Sequence, residues 1–495
     1  MREKFASRLG FILVSAGCAI GLGNVWKFPY MCGENGGALF ILIYLFFLFF
    51  MGLPIMVMEF SVGRASQKSS AQAFRFLEPA GTRWHLAGYV FLFANQLMMA
   101  FYTTVCGWML YYTYKSMRGD FAGTEISVDS ITSDFSQMLE SPGTMIFWMV
   151  LTVVLALGVC FFGVRKGVER ISKIIMSLLL LLIVVLAVNS ILLPGAGRGL
   201  EFYFLPNWDA LFERGFFSVA FAALSQAFFT LSIGMGSMAI FGSYLGKSRS
   251  VTGESAFIVA LDTFVAIMSG LIIIPACFSF RIAPDAGPSL IFITLPKIFN
   301  QMAYGHLWGI CFFVFLSFAA LTTVIAVFEN IISMIMDSFN FSRTKAVFIN
   351  LFIIPMISLP CIFGFNFLSG AQPLGPGTSI LDFEDFLISN NILPLGSIVF
   401  LLFCTGGNAW GFRNFLAESD LGSGLKFPRI FNFYYCRYLL PAGIVVIYLK
   451  GYWDKFYPLG ASYYIPWFCV AVGILALIAL LASIRGKLCR GNDKK

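Results

Sequence analysis

"GCAIGLGNVWKFP" fills residues 17–29, inside a stretch from Leu9 to Met31 that is otherwise apolar enough to cross a membrane. Gly17, Gly21, Gly23 and Asn24 interrupt it near its middle. Glycine weakens a helix interior, and in lipid every freed backbone group must find another partner. The question is what those freed groups hold.

The composition narrows the answer. Of 495 residues, 59% are hydrophobic, 57 are Phe and only 12% are charged, about half the charge of a soluble globular chain. Apolar stretches recur along the whole length, so the chain reads as one polytopic membrane domain (1–495) rather than several soluble ones. The net charge of +8 comes from short basic loops between apolar segments, which the positive-inside rule explains better than nucleic-acid binding. Eleven Cys in no ligand-like spacing read as buried hydrophobes. His85 and His306 have no metal-binding partner in sequence and read as structural. "MREKFASR" is too short for a cleavable signal and leads directly into a span.

A span needs about 20 apolar residues. Segments 9–32, 38–60, 86–113, 145–162, 170–193, 215–244, 254–278, 307–336, 345–365, 381–404, 430–449 and 464–484 meet that need, predicting an all-α protein of about twelve transmembrane helices. Basic loops carrying Arg64, Lys68 and Arg75, then Arg165 and Lys166, Lys247 and Arg249, Arg343 and Lys345 fall on one side, with both termini. The loop at 119–143, on the other side, is acidic. Both termini are therefore expected in the cytoplasm. No long amphipathic helix or low-complexity linker suggests a hidden soluble domain.

The sixth segment is broken too: "FFTLSIGMGSM" (228–238) sets Gly234 and Gly236 in an apolar run. Glycine-interrupted segments opening two five-span halves (9–193 and 215–404) predict an inverted-repeat transporter with its site at the midplane, with 430–484 as two additional helices. The bland alternative is that these glycines only allow close helix packing. Polar side chains weigh against it. Asp262 is central in its span with no base at similar depth, so a bound cation is the natural counter-charge. Asn24 and Thr230 add hard oxygens from the two broken segments, which suits Na⁺. Thr322 and Thr323, side by side, read as structural when taken alone. Tyr102 lies deep enough that its hydroxyl needs a partner. Glu59 reads equally as an end-of-helix carboxylate beside Arg64 or as a functional group.

"RLGFILVSAGCAIGLGNVWKFPY…ENGG", "FFTLSIGMGS" and "FAALTTVIA" closely resemble the neurotransmitter:sodium symporters, particularly their bacterial amino-acid members, over nearly the whole chain. The resemblance implies a 5+5 inverted repeat with two further helices, sodium-driven alternating access and a sodium-coupled amino-acid symport. It implies a first sodium at the Ala19 carbonyl, Asn24, Thr230 and Asp262, and a second at the carbonyls of Gly17, Ile20 and Ala319 with the Thr322 and Thr323 hydroxyls. A substrate carboxylate would meet the amides of Leu22 and Gly23 and the Tyr102 hydroxyl. Its amine would face carbonyls of Ala19, Phe229, Thr230 and Ser232. Cys18, Ala19, Met98, Phe229, Met235, Thr323 and Val327 would line the side-chain subsite, under a lid of Tyr102 and Phe229. Lys27 with Asp385 would form the outer gate. Arg2 with Asp337, with Phe5 packing nearby and Tyr244 in support, would form the inner one.

Two departures inform mechanism. Chloride-dependent relatives bind an anion at positions matching Tyr44, Gln226, Thr230, Asp262 and Ala266; here Asp262 carries the negative charge and Ala266 is apolar, so chloride independence is expected. Monoamine carriers have Asp where Gly21 stands, so this substrate is expected to bring its own carboxylate. The Gly234-Met235-Gly236 pattern resembles that of bacterial carriers of large hydrophobic amino acids, which implies a large or aromatic α-amino acid, with a betaine- or GABA-like amine as the alternative. An ion channel would need a continuous polar pore, whereas these polar groups cluster at one depth, and no reactive constellation suggests an enzyme. The acidic loop lacks a Cys pair and a glycosylation sequon, which favours a bacterial inner membrane. Lipid and the amino acid are the expected partners, without nucleic acid.

Overall fold

The computed structural model describes residues 5–121, 128–282 and 290–484. Its elements are helical, and the one β-bridge among the described residues joins Arg249 to Ser423. Nine helices there are long and apolar enough to cross a membrane: Ala38–Ser66, His85–Arg118, Pro142–Phe161, Val164–Ile191, Val251–Ser279, Gly305–Phe339, Arg343–Phe363, Ile380–Thr405 and Ala461–Ser483. The first span makes a tenth, as Arg8–Ala19 and Gly23–Glu34 bent by 54° at the break. The sixth runs as Phe216–Leu231 and then Ser237–Tyr244. The eleventh runs from Tyr435 through Leu440–Phe456. Together these are consistent with the twelve spans the sequence predicts.

Local chemistry sets both breaks. Arg8–Ala19 starts at Ser7, whose hydroxyl accepts the Gly10 amide, and stops where Ile20 turns extended. Gly23–Lys27 then resumes as a π-helical turn. In the sixth span, Ser232, Gly234 and Gly236 all take positive φ (50°, 91° and 77°), a region that glycine enters at little steric cost. At Gly234 there is no alternative, because a Cβ would lie 2.1 Å from the Leu393 carbonyl oxygen.

The third and eighth spans, of 34 and 35 residues, pack along each other and form the spine of the bundle. The first span lies against the eighth, fifth and seventh. Outer faces carry exposed apolar side chains, such as Leu178, Leu181 and Val188 of the fifth span. The twelfth span is peripheral: Ala471 is its one fully buried residue. Several helices run past the predicted ends. The second reaches Ser66 rather than 60, and the third reaches Arg118, where Gly119 at φ 92° ends it. Short amphipathic helices at Ser70–Leu77, Val128–Glu140 and Ala196–Phe204 occupy loops that the sequence reading left without structure.

Candidate functional site

The two breaks face each other. Asn24 Nδ2 donates to Asp262 Oδ1 at 2.8 Å and to the Asp262 carbonyl at 3.1 Å. Thr230 Oγ1 donates to the same carboxylate at 3.1 Å. The Gly21 amide donates to Asn24 Oδ1 (3.2 Å), and Gln226 Nε2 to the Gly23 carbonyl (2.7 Å). Asn24, Thr230, Asp262 and Gln226 are all fully buried. A second oxygen cluster lies where the first span meets the eighth. Thr323 Oγ1 is 3.0 Å from the Gly17 carbonyl oxygen, 3.3 Å from that of Ile20 and 3.4 Å from that of Ala319. Thr322 Oγ1 is 3.0 Å from the Ala319 carbonyl. Carbonyl, hydroxyl and carboxylate oxygens of this kind suit a hard monovalent cation. Among the described residues no group of three or more His, Cys, Asp or Glu is placed to hold a metal ion. His85 instead pairs with Glu78 at 2.7 Å, and His306 meets the Ser116 carbonyl at 2.8 Å. The described cysteines are free thiols.

Between the clusters lies a small cavity walled by Cys18, Ala19, Gly21, Gly23, Met98, Tyr102, Phe229, Ser232, Met235, Thr323, Ile388 and Leu393. Most of the predicted subsite is there; Val327, fully buried, is not part of that wall. The Leu22 amide donates to the Tyr102 hydroxyl at 3.0 Å, and the Ser232 hydroxyl donates to the Cys18 carbonyl at 3.2 Å. Gly21 leaves no room for a side chain: a Cβ there would sit 2.4 Å from the Tyr102 hydroxyl oxygen and 2.5 Å from Thr323 Oγ1.

A second, larger space opens above, walled by Leu22, Trp26, Lys27, Tyr30, Asp385 and others. It shares only Tyr102 and Phe229 with the cavity below, so these two rings form the partition. Lys27 Nζ lies 4.1 Å from the centre of the Phe229 ring and 3.7 Å from Asp385 Oδ2. On the opposite side, Phe5 meets Tyr244 edge-on at 5.6 Å. The Tyr244 hydroxyl donates to Glu329 at 2.9 Å, and Arg343 grips that carboxylate with two bonds of 2.7 and 2.9 Å. Asp337 accepts the Ser69 amide at 2.6 Å. Arg2 lies outside the described residues.

Glu59 is not an end-of-helix carboxylate beside Arg64; it braces the sixth break. It sits inside the second helix, and its oxygens accept the amides of Gly234 and Met238, both at 2.9 Å. Arg64 pairs instead with Glu418 at 2.6 Å. The sequence reading also passed over Asn95 and Asn330. Asn95 Nδ2 donates to the Met235 carbonyl at 3.0 Å, and Asn330 Nδ2 donates to Asn95 Oδ1 at 2.7 Å. "LFANQLMM" and "VFENIISM" hold them in apolar spans, the same signal that exposed Asp262.

The chain is similar to known proteins along most of its length. The profile of the sodium:neurotransmitter symporter family matches residues 2–135 and 127–487. The sodium-dependent transporter YhdH of Bacillus subtilis is 34% identical over 90% of this chain and 97% of its own length. The sodium- and chloride-dependent GABA transporter 2 of Bos taurus is 25% identical over 99% of this chain and 86% of its own. The crystal structure of MhsT in complex with L-phenylalanine superposes with a TM-score of 0.81 at 38% identity, covering 91% of this chain and all of that one.

Proposed function

Since the chain belongs to the sodium:neurotransmitter symporter family, we propose that it is a chloride-independent, sodium-coupled symporter of large or aromatic hydrophobic α-amino acids. The observation that carries this reading is the pairing of a side-chain-free floor at Gly21 with the Leu22 amide and Tyr102 hydroxyl directly above it. An amide and a hydroxyl at that spot recognise a carboxylate. The helix N-terminus resuming at Gly23 adds a favourable dipole. A substrate bearing its own carboxylate can accept from both groups, whereas a monoamine brings no acceptor for them.

The first sodium would lie among Asn24, Thr230, Asp262, the Ala19 carbonyl and the substrate carboxylate. The second would lie among the carbonyls of Gly17, Ile20 and Ala319 and the two threonine hydroxyls. Each cluster joins a broken span to an unbroken one, so a bound ion tightens contacts that exist only with the site assembled. Asp262 supplies the negative charge that chloride supplies in some relatives, and the buried methyl of Ala266 offers no anion ligand. Met98 and Met235 give the side-chain subsite adaptable walls, and MhsT holds L-phenylalanine. Alternating access would open the Tyr102–Phe229 partition on one side and the Tyr244–Glu329–Arg343 cluster on the other. We place the chain as one domain (first repeat 9–193, second 215–404) in a bacterial inner membrane with both termini cytoplasmic.

Uptake of radiolabelled tyrosine, tryptophan and leucine into proteoliposomes, with Na⁺ or K⁺ outside and chloride replaced by gluconate, tests this. Uptake that needs Na⁺, ignores chloride and disappears in Asp262→Ala is expected. Sodium-independent uptake overturns the coupling, and transport of GABA or betaine in preference to α-amino acids overturns the substrate class.

A further inference from the structure

The tenth span enters the cavity wall through Ile388 and Leu393, both fully buried. Its helix widens there. Residues Phe386–Ile392 form a π-helical stretch inside Ile380–Thr405, and such bulges recur at functional sites. One extra residue in a turn rotates the side chains that follow by about 100°. Asn391 holds the widened turn. Its Nδ2 donates to the Phe386 carbonyl at 3.1 Å, while its Oδ1 accepts hydroxyls from Tyr448 at 3.0 Å and from Tyr452. Leu387 and Ile392 line an apolar groove on the outer face instead. Ile388 thus faces the cavity while Leu387 and Ile392, the latter four residues on, face the groove.

The same span also seats the unwound stretch that carries Met235. A Cβ on Gly234 would lie 2.1 Å from the Leu393 carbonyl oxygen, and one on Gly396 would lie 1.8 Å from the Gly234 carbonyl oxygen. Backbone meets backbone, so the wall behind the side-chain subsite has little slack.

We propose that Ile388, backed by Leu393, is the size-selecting wall of the side-chain subsite, held in place by the Asn391-clamped π-turn. The proposal rests on the amino-acid reading above. It makes substrate size a property of the tenth span as well as of the two broken ones. A methylene added to or removed from such a pocket changes discrimination by about tenfold or more.

The test is the ratio of kcat/KM for sodium-driven tryptophan uptake to that for leucine, in wild type, Ile388→Ala, Ile388→Phe and the outward control Leu387→Ala. Ile388→Ala should raise the ratio by well over tenfold and Ile388→Phe should lower it by tenfold or more, with Leu387→Ala within twofold of wild type. Should Ile388→Ala fail to fold, Ile388→Val, which removes a single methylene, should still raise the ratio about tenfold. An unchanged ratio in variants that retain wild-type sodium activation overturns the wall and leaves the amino-acid reading standing. An equal shift in Leu387→Ala also overturns it. A wild type that takes up no α-amino acid removes the amino-acid reading and this inference with it.

Discussion

The Asn24 side chain donates to both the carboxylate and the backbone carbonyl of Asp262, although 238 residues separate them in the chain. The pair ties the first broken span to the seventh at one depth, and Thr230 ties in the sixth. An ionised carboxylate there needs a counter-charge, and the surrounding groups are amides and hydroxyls. Asp262→Asn keeps the shape and removes the charge. The sodium concentration for half-maximal uptake should then rise at least tenfold, about 1.4 kcal/mol or more of lost ion binding. Chloride should not restore it, because Ala266 supplies no ligand. Sodium activation curves in chloride and in gluconate read both effects, and an unshifted curve would remove Asp262 from the ion site.

Gly21 offers the sharpest steric test. A single methyl group there would overlap the Tyr102 hydroxyl and Thr323 Oγ1, which lie 2.4 and 2.5 Å from the Cβ position. One contributes to the partition and the other to the second oxygen cluster. Gly21→Ala should therefore reduce sodium-driven uptake by more than a hundredfold while the purified protein keeps its yield and helical content. Uptake within tenfold of wild type would mean that the break tolerates a shift that this packing forbids.

How much of this was legible beforehand follows from the solvent. In lipid, a polar side chain or a glycine break stands out because it is expensive, so Asn24, Asp262, Thr230 and both breaks could be read from the sequence. Glu59 was ambiguous because its role depends on amides 175 and 179 residues away. Ile388 and Leu393 were invisible: apolar residues in an apolar span do not announce which face looks inward. The π-turn that aims Ile388 depends on tyrosines from the eleventh span, a tertiary effect without local signature. Helix ends were misplaced where helices continue beyond the apolar core, as at Ser66 and Arg118.

Glu59 separates architecture from ion binding. Its carboxylate satisfies the Gly234 and Met238 amides that the sixth break releases. Glu59→Gln keeps one acceptor oxygen and turns an amide group toward the other N–H. A buried donor left unsatisfied costs about 1–3 kcal/mol. Thermal unfolding in detergent should fall accordingly. Affinity for the proposed amino-acid substrate should weaken with it, since Met235 lies between the two anchored amides. An unchanged melting temperature would show that water or a neighbouring group replaces the lost acceptor.

The second oxygen cluster sets the expected charge stoichiometry. At about 100 mV an inward Na⁺ contributes ~2.3 kcal/mol, and a tenfold gradient adds ~1.4 kcal/mol. Two ions supply roughly 7 kcal/mol, enough to accumulate a neutral zwitterion about 10⁵-fold, whereas one supports only a few hundredfold. Thr322 contributes its hydroxyl beside the Ala319 carbonyl and is not part of the cavity wall, so Thr322→Val addresses the ion without touching the substrate. Wild-type proteoliposomes clamped at fixed potential should move two charges per amino acid. Thr322→Val should move one, with its steady-state accumulation falling by about two to three orders of magnitude. One charge per substrate in the wild type would leave the Thr322–Thr323 cluster as a structural joint between the first and eighth spans, with Asp262 at the sole coupling site.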